Sequence, residues 1–155
     1  TLGGRLAREL GVPFVELDRE VELEAGTSLS EIFVLHGQQG YRRYERRALE
    51  HVLERSERCV IATGGSLVSE PGTYDLLLST CLTVWLKASP EEHMERVVAQ
   101  GDHRPMAGST EAMDDLRRIL AGRAALYGQA DIVIDTAGKP VDTSLAELAT
   151  AVRAP

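Results

Sequence analysis

Apolar positions recur along the chain in two alternating rhythms. Leu2, Leu6 and Leu10 lie on one helical stripe that stops at Gly11. After Pro13, the run Phe14-Val15-Glu16-Leu17 predicts a short strand. Asp18 hands that strand over to a helix on which Asp18 and Glu22 share one face and Glu20 and Glu24 another. Ser28-Leu29-Ser30-Glu31 has the form of a capping box, opening a helix through Ile32, Phe33 and Leu35 that Gly37 ends. From Gln38 to Arg55, Tyr41, Tyr44, Ala48 and Val52 recur at helical spacing, so most of this segment's charges form a solvated face. A second strand is predicted from Cys59 to Thr63, and it ends abruptly at Gly64-Gly65.

The second half repeats the alternation. A helix begins at Ser69-Glu70-Pro71 and runs through Tyr74, Leu77 and Leu78, followed by a strand from Leu82 to Leu86. Ser89-Pro90-Glu91-Glu92 is a further capping box, with proline at the first helical position and Met94, Val97 and Val98 as the apolar stripe behind it. Gln100 to Ser109 reads as a polar loop of the kind that covers a site, with Arg104 as its firm cation. A long helix from Glu111 to Tyr127, a strand from Ile132 to Ile134 and a helix around Leu145 and Leu148 complete the pattern. Strands alternating with helices predict an α/β domain with a parallel sheet and right-handed crossovers.

With 155 residues, 43% of them hydrophobic, the chain is expected to form a single domain, 1–155, with a real core. A net charge of −7 argues against general attraction to nucleic acid or anionic membranes. No apolar run approaches the ~20 residues that span a bilayer. Cys59 and Cys81 sit in or beside apolar runs, as free core thiols do, which leads us to expect a reduced, cytoplasmic protein. The four histidines show no metal-ligand spacing, so no histidine-based metal cluster is expected.

Candidate chemistry gathers at the strand that ends in glycine. In an open α/β sheet, ligands bind at the carboxyl ends of strands, and Gly64 and Gly65 would let backbone approach a ligand closely. The plain alternative is a tight turn.

The series Leu17 to Glu24, Ser28 to Phe33, Gly37 to Glu45, the Gly64-Gly65 turn, Arg104-Pro105 and Arg123 to Tyr127 resembles the shikimate kinases in order and spacing, from Thr1 to about Gly138. That resemblance implies a P-loop kinase fold of three layers. Thr1-Leu2-Gly3 resembles the residues just after the lysine and first hydroxyl residue of that family's phosphate loop, so the loop and its strand are expected to lie outside this sequence. The strands should then fall into two groups with unpaired edges. The resemblance further implies that Asp18 supports a magnesium shell and that Glu20 stands where an aspartate orients and deprotonates the substrate hydroxyl. Arg42 and Arg123 would hold a carboxylate, a planar anion suited to guanidinium. Gly64 and Gly65 would donate backbone N–H groups, and Arg104 would close onto the transferred phosphoryl group. ATP and Mg2+ would be the cofactors where the phosphate loop is present, with none held by this segment alone.

Ser66 replaces the family's third glycine, and Glu20 is one methylene longer than aspartate. The runs Gly40 to Glu50 and Pro90 to Gly108 also resemble the C-terminal part of helix-turn-helix regulators of bacterial benzoate degradation. The expectation drawn from both is an effector-binding domain that takes benzoyl-CoA or another small anionic aromatic or CoA-linked ligand through Glu20, Arg42, Gly64, Gly65, Ser66 and Arg123. Such a domain would meet DNA only through a separate N-terminal domain and would act as a homodimer. The alternative is a shikimate kinase with Asp18, Glu20 and Arg104 as its catalytic residues. Under either reading, replacing Arg42 or Arg123 by alanine should weaken an anionic ligand by about 2 kcal/mol, measured by titration calorimetry.

Overall fold

The structure, a computed structural model, describes residues 2–99 and 110–154. The chain divides into two compact units, Thr1–Ser79 and Thr80–Pro155.

In the first unit, helix α1 (Leu2–Leu10) ends as the sequence predicts, at a left-handed Gly11 with φ 68°. The reversal is closed by the Val12 amide donating to the Ala7 carbonyl at 3.0 Å. Strand β1 (Phe14–Glu16) lies parallel to β2 (Val60–Ala62), with Phe14 opposite Val60 and Glu16 opposite Ala62. Helix α1 covers this pair at close range. A Cβ on Gly3 would sit 2.9 Å from the Phe14 ring, so a bare Cα there sets the helix-to-strand distance.

Helix α2 (Leu17–Ala25) starts directly from β1 and stops at left-handed Gly26. It packs on α3 (Leu29–Arg55), and Leu17, Val21, Ile32, Leu49 and Val52 make a dry seam, each at most 1% exposed. At the start of α3, the Ser28 hydroxyl accepts the Glu31 amide at 3.3 Å. The Glu31 carboxylate turns to the Thr27 hydroxyl, so only half of the predicted capping box forms. Gly37 does not end the helix, as its sequence suggests, but kinks it, with φ 68° and ψ −173°. That conformation is essentially closed to other residues, and helical geometry resumes at once beyond it. After β2 comes a short 3₁₀ turn (Gly65–Ser69), and then α4 (Pro71–Thr80).

The second unit repeats the parallel arrangement. Strand β3 (Val84–Lys87) pairs with β4 (Ile132–Asp135), Val84 facing Ile132 and Lys87 facing Asp135. The Asp131 carboxylate clips the pair at one end by accepting both the amide and the hydroxyl of Thr83, at 2.9 and 3.0 Å. Helix α5 (Pro90–Ala99) carries its predicted cap, the Ser89 hydroxyl accepting the Glu92 amide at 3.1 Å. Helix α6 (Thr110–Tyr127) lays Tyr127 on Trp85, and α7 (Val141–Arg153) buries Leu148 and Ala149.

All four predicted strands therefore form, and they fall into two parallel pairs. No helix among the described residues is long and apolar enough to cross a membrane. Gly37→Ala, which must force a side chain into the kink's backbone conformation, should lower unfolding free energy by ~1–3 kcal/mol, read from the urea midpoint.

Candidate functional site

Helix α2 sorts its four acids by face. Asp18 and Glu22 point one way, where Asp18 Oδ1 accepts from the Tyr41 hydroxyl at 3.2 Å and Glu22 Oε2 accepts the Leu29 amide at 3.1 Å. Glu20 and Glu24 point another. Glu20 is held by a two-pronged Arg55 pair at 2.7 and 2.9 Å, and Glu24 meets His51 at 2.9 Å and Arg47 at 3.9 Å. The Arg55 hydrogen bond holds the Glu20 carboxyl below the usual carboxylate range.

The face carrying Asp18 meets a cluster on α3. Glu45, 1% exposed, takes Arg42 Nη1 on one oxygen at 2.8 Å and lies 3.1 Å from the Tyr41 hydroxyl through the other. Burial pushes the Glu45 carboxyl up, and the Arg42 hydrogen bond and charge pull it partly back. Burial, with Glu45 and Asp18 beside it, drives the Tyr41 phenol well above its ordinary range. Tyr41 is stacked between other groups as well, 4.7 Å from the Phe33 ring and 5.2 Å from the Arg42 guanidinium carbon.

Arg42 also lines an open recess of about 400 Å³ with Gln39, Arg43, Arg46, Glu70 and Thr73. Residues 39, 42, 43 and 46 occupy one helical stripe of α3 and face the start of α4. Gly72 leaves room for Arg46, since a Cβ there would lie 2.7 Å from its Nη1. Sequence spacing alone assigns Arg43 and Arg46 to a solvated face and misses Tyr41 and Glu45 as site residues. A signal for the latter exists, because Tyr41 and Arg42 stand four and three residues before Glu45, the spacing at which helical side chains meet.

Gly64 has an ordinary extended backbone, φ −69°, and a Cβ on it would meet nothing within 4 Å. Neither conformation nor packing demands glycine at this position. What its bare Cα leaves is open space at the carboxyl end of β2, next to Gly65 and the half-buried Ser66 in the 3₁₀ turn. Arg123 is half-buried on α6 in the second unit. Arg104, with the polar loop around it, lies outside the described residues. The first unit thus joins Asp18 with Arg42 in one hydrogen-bonded cluster, while Glu20 is turned to Arg55.

Parallel strand pairs with helices following each strand, and a guanidinium-lined recess in the first unit, define an α/β fold of the P-loop kinase class. A family model described as shikimate kinase matches residues 1–153, and the chain belongs to that family. It is 32% identical over 97% of its length to a shikimate kinase of Francisella philomiragia, covering 85% of that protein. The crystal structure of shikimate kinase from Bacteroides thetaiotaomicron superposes with a TM-score of 0.83 at 29% identity, over 99% of this chain and 90% of that one. Shikimate kinase from Acinetobacter baumannii in complex with shikimate gives 0.82 at 25% identity, over 97% and 84%.

These findings correct the main functional expectation. The matching family, relatives and structures carry the name shikimate kinase, and they give no support to a benzoyl-CoA-sensing regulator domain with a DNA-binding partner. The Glu20 and Ser66 substitutions stand within a chain that the family model matches over residues 1–153.

Glu45 and Glu20 should pull stability in opposite directions with pH. A raised folded pKa at Glu45 means the folded state holds the proton longer, so its contribution falls as pH rises from about the ordinary carboxyl value of 4.5. A lowered folded pKa at Glu20 gives a contribution present above 4.5 and lost as pH falls through the folded value. Glu45→Gln should flatten the decline above pH 4.5 relative to the parent, measured by urea unfolding at a series of pH values.

Proposed function

We propose that this chain binds shikimate or a closely related hydroxylated ring carboxylate and serves its phosphorylation from ATP. The observation that carries this is the Arg42–Glu45–Tyr41–Asp18 cluster beside the open recess. Arg42, aimed by its buried Glu45 partner, offers guanidinium N–H groups to the ligand carboxylate. Glu20, where the family carries an aspartate, accepts the proton of a ring hydroxyl. In the transfer, the hydroxyl oxygen forms the new P–O bond, the bond to ADP breaks, and the proton goes to Glu20. Gly64 and Gly65 supply bare backbone against which a ring can lie, with the Ser66 side chain beside them.

Family membership implies ATP and Mg2+, which together supply the phosphoryl group and neutralise its charge. Mg2+ is commonly held by one or two carboxylates together with phosphate oxygens. Asp18 fits that pattern, and no three His, Cys, Asp or Glu side chains converge among the described residues. The 155 residues contain no G-x-x-x-x-G-K-[ST] run, so this chain's own residues provide no phosphate cradle through which to derive a step. Cys59 and Cys81 are not joined in a disulfide, which suits a reducing compartment.

Titration of the chain with shikimate should give saturable heat, and with a phosphate-loop segment joined ahead of Thr1 phosphoryl transfer should appear as shikimate-dependent ADP release in a coupled assay. Arg42→Ala should weaken shikimate by about 2 kcal/mol, and Glu20→Gln should lower turnover by ~10²–10⁴-fold. Absence of any shikimate binding would remove the reading.

A further inference from the structure

Three arginines on one stripe of α3 border the recess, and Glu70 and Thr73 border it from the start of α4. Their commitments differ. Arg42 is held by Glu45 at 2.8 Å, and its side chain is only 11% exposed. Arg46 meets Glu50 at 3.3 Å through Nε, while its Nη1 reaches over α4 into the space that Gly72 leaves. Arg43 is exposed and has no hydrogen-bond or ion-pair partner among the described residues. The carboxylates near this stripe are thus Glu45 on Arg42, Glu50 on Arg46 and Glu70 in the recess wall, and none of them pairs with Arg43.

Across from the guanidiniums, α4 begins. The Tyr74 amide donates to the Glu70 carbonyl at 2.9 Å. The Gly72 and Thr73 amides precede it, in the turn where helical N–H groups lack intrahelical acceptors and carry the positive end of the dipole. Thr73 is 1% exposed and still forms part of the recess wall, so this side of the recess is built from a buried residue.

We propose that Arg43, Arg46 and the first turn of α4 form an anion subsite separate from Arg42, and that it takes a phosphate dianion, free or as the monoester of a small molecule. Guanidiniums on one helix and backbone amides on another approach from different directions, which suits a tetrahedral oxyanion, whereas a planar carboxylate is matched by a single guanidinium. The subsite goes beyond the proposed function, since it does not require shikimate as the ligand of Arg42.

The test is titration calorimetry of the parent chain with inorganic phosphate and, separately, with methyl phosphate, at about pH 8, where both are dianions. Acetate at matched ionic strength is the comparison. We expect saturable phosphate binding about tenfold tighter than acetate, and the tighter of the two phosphates tells a free ion from an ester. Arg43→Gln and Arg46→Gln should each weaken that binding by about tenfold. Arg47→Gln makes the same charge change on α3 outside the recess and should move affinity less than about twofold. If a glutamine variant loses the parent's circular dichroism, Gly72→Ala is read in its place, because it keeps every charge and sets a methyl within 2.7 Å of Arg46 Nη1. Phosphate bound no better than acetate, or weakened equally by Arg47→Gln, marks a diffuse cationic surface and overturns the proposal. Binding lost in Arg42→Lys and untouched by Arg43→Gln and Arg46→Gln overturns it too. A chain that binds phosphate and not shikimate removes the proposed function and leaves this inference standing.

Discussion

Burying a carboxylate is the constraint around which the first unit is arranged. Glu45 is almost fully enclosed, and an enclosed charge without partners costs several kcal/mol. Its partners are local in sequence: Arg42 lies one helical turn before it on the same face, and the Tyr41 hydroxyl reaches its second oxygen. Satisfying Glu45 thereby orients the polar ends of two side chains. Arg42 is left with an oriented guanidinium at the edge of a recess, and Tyr41 is left with an oxygen that reaches across to α2 and Asp18. A structural requirement in the α2–α3 seam thus delivers the polar geometry of the site.

Glycine does three different things in this chain, and only coordinates separate them. At Gly37 it permits a backbone conformation closed to other residues and turns one long helix without ending it. At Gly3 it admits an aromatic ring within what would be Cβ distance. At Gly64 neither reason applies, and the absence of a side chain simply leaves the end of β2 open. The last case resembles a ligand-facing position because no internal contact accounts for it.

The functional expectation that failed rests on residue substitutions read one at a time. Glu20 looks like an altered catalytic group because the family resemblance sets it where a shorter aspartate handles the substrate hydroxyl. In the folded chain it faces Arg55, and Asp18, two positions earlier and about 200° around the helix at 3.6 residues per turn, is the carboxylate that joins Arg42. A shift of two residues along a helix exchanges one face for nearly the opposite one, so neighbouring acids cannot be given roles without knowing which face is covered.

Sequence alone determined the order and kind of nearly every element, because strand and helix periodicity, proline, glycine and capping residues act over a few positions. It marked Arg42 as the arginine to watch and split the α2 acids correctly into two faces. It could not tell which face would meet α3, or that Arg43 and Arg46 would border a recess with the start of α4. Those were decided by tertiary structure, since each depends on partners 23 to 35 residues away, or on a separate helix, as with Tyr41 on Asp18 and Arg55 on Glu20. Local periodicity fixes which way a side chain points from its own element, and only packing fixes what it finds there.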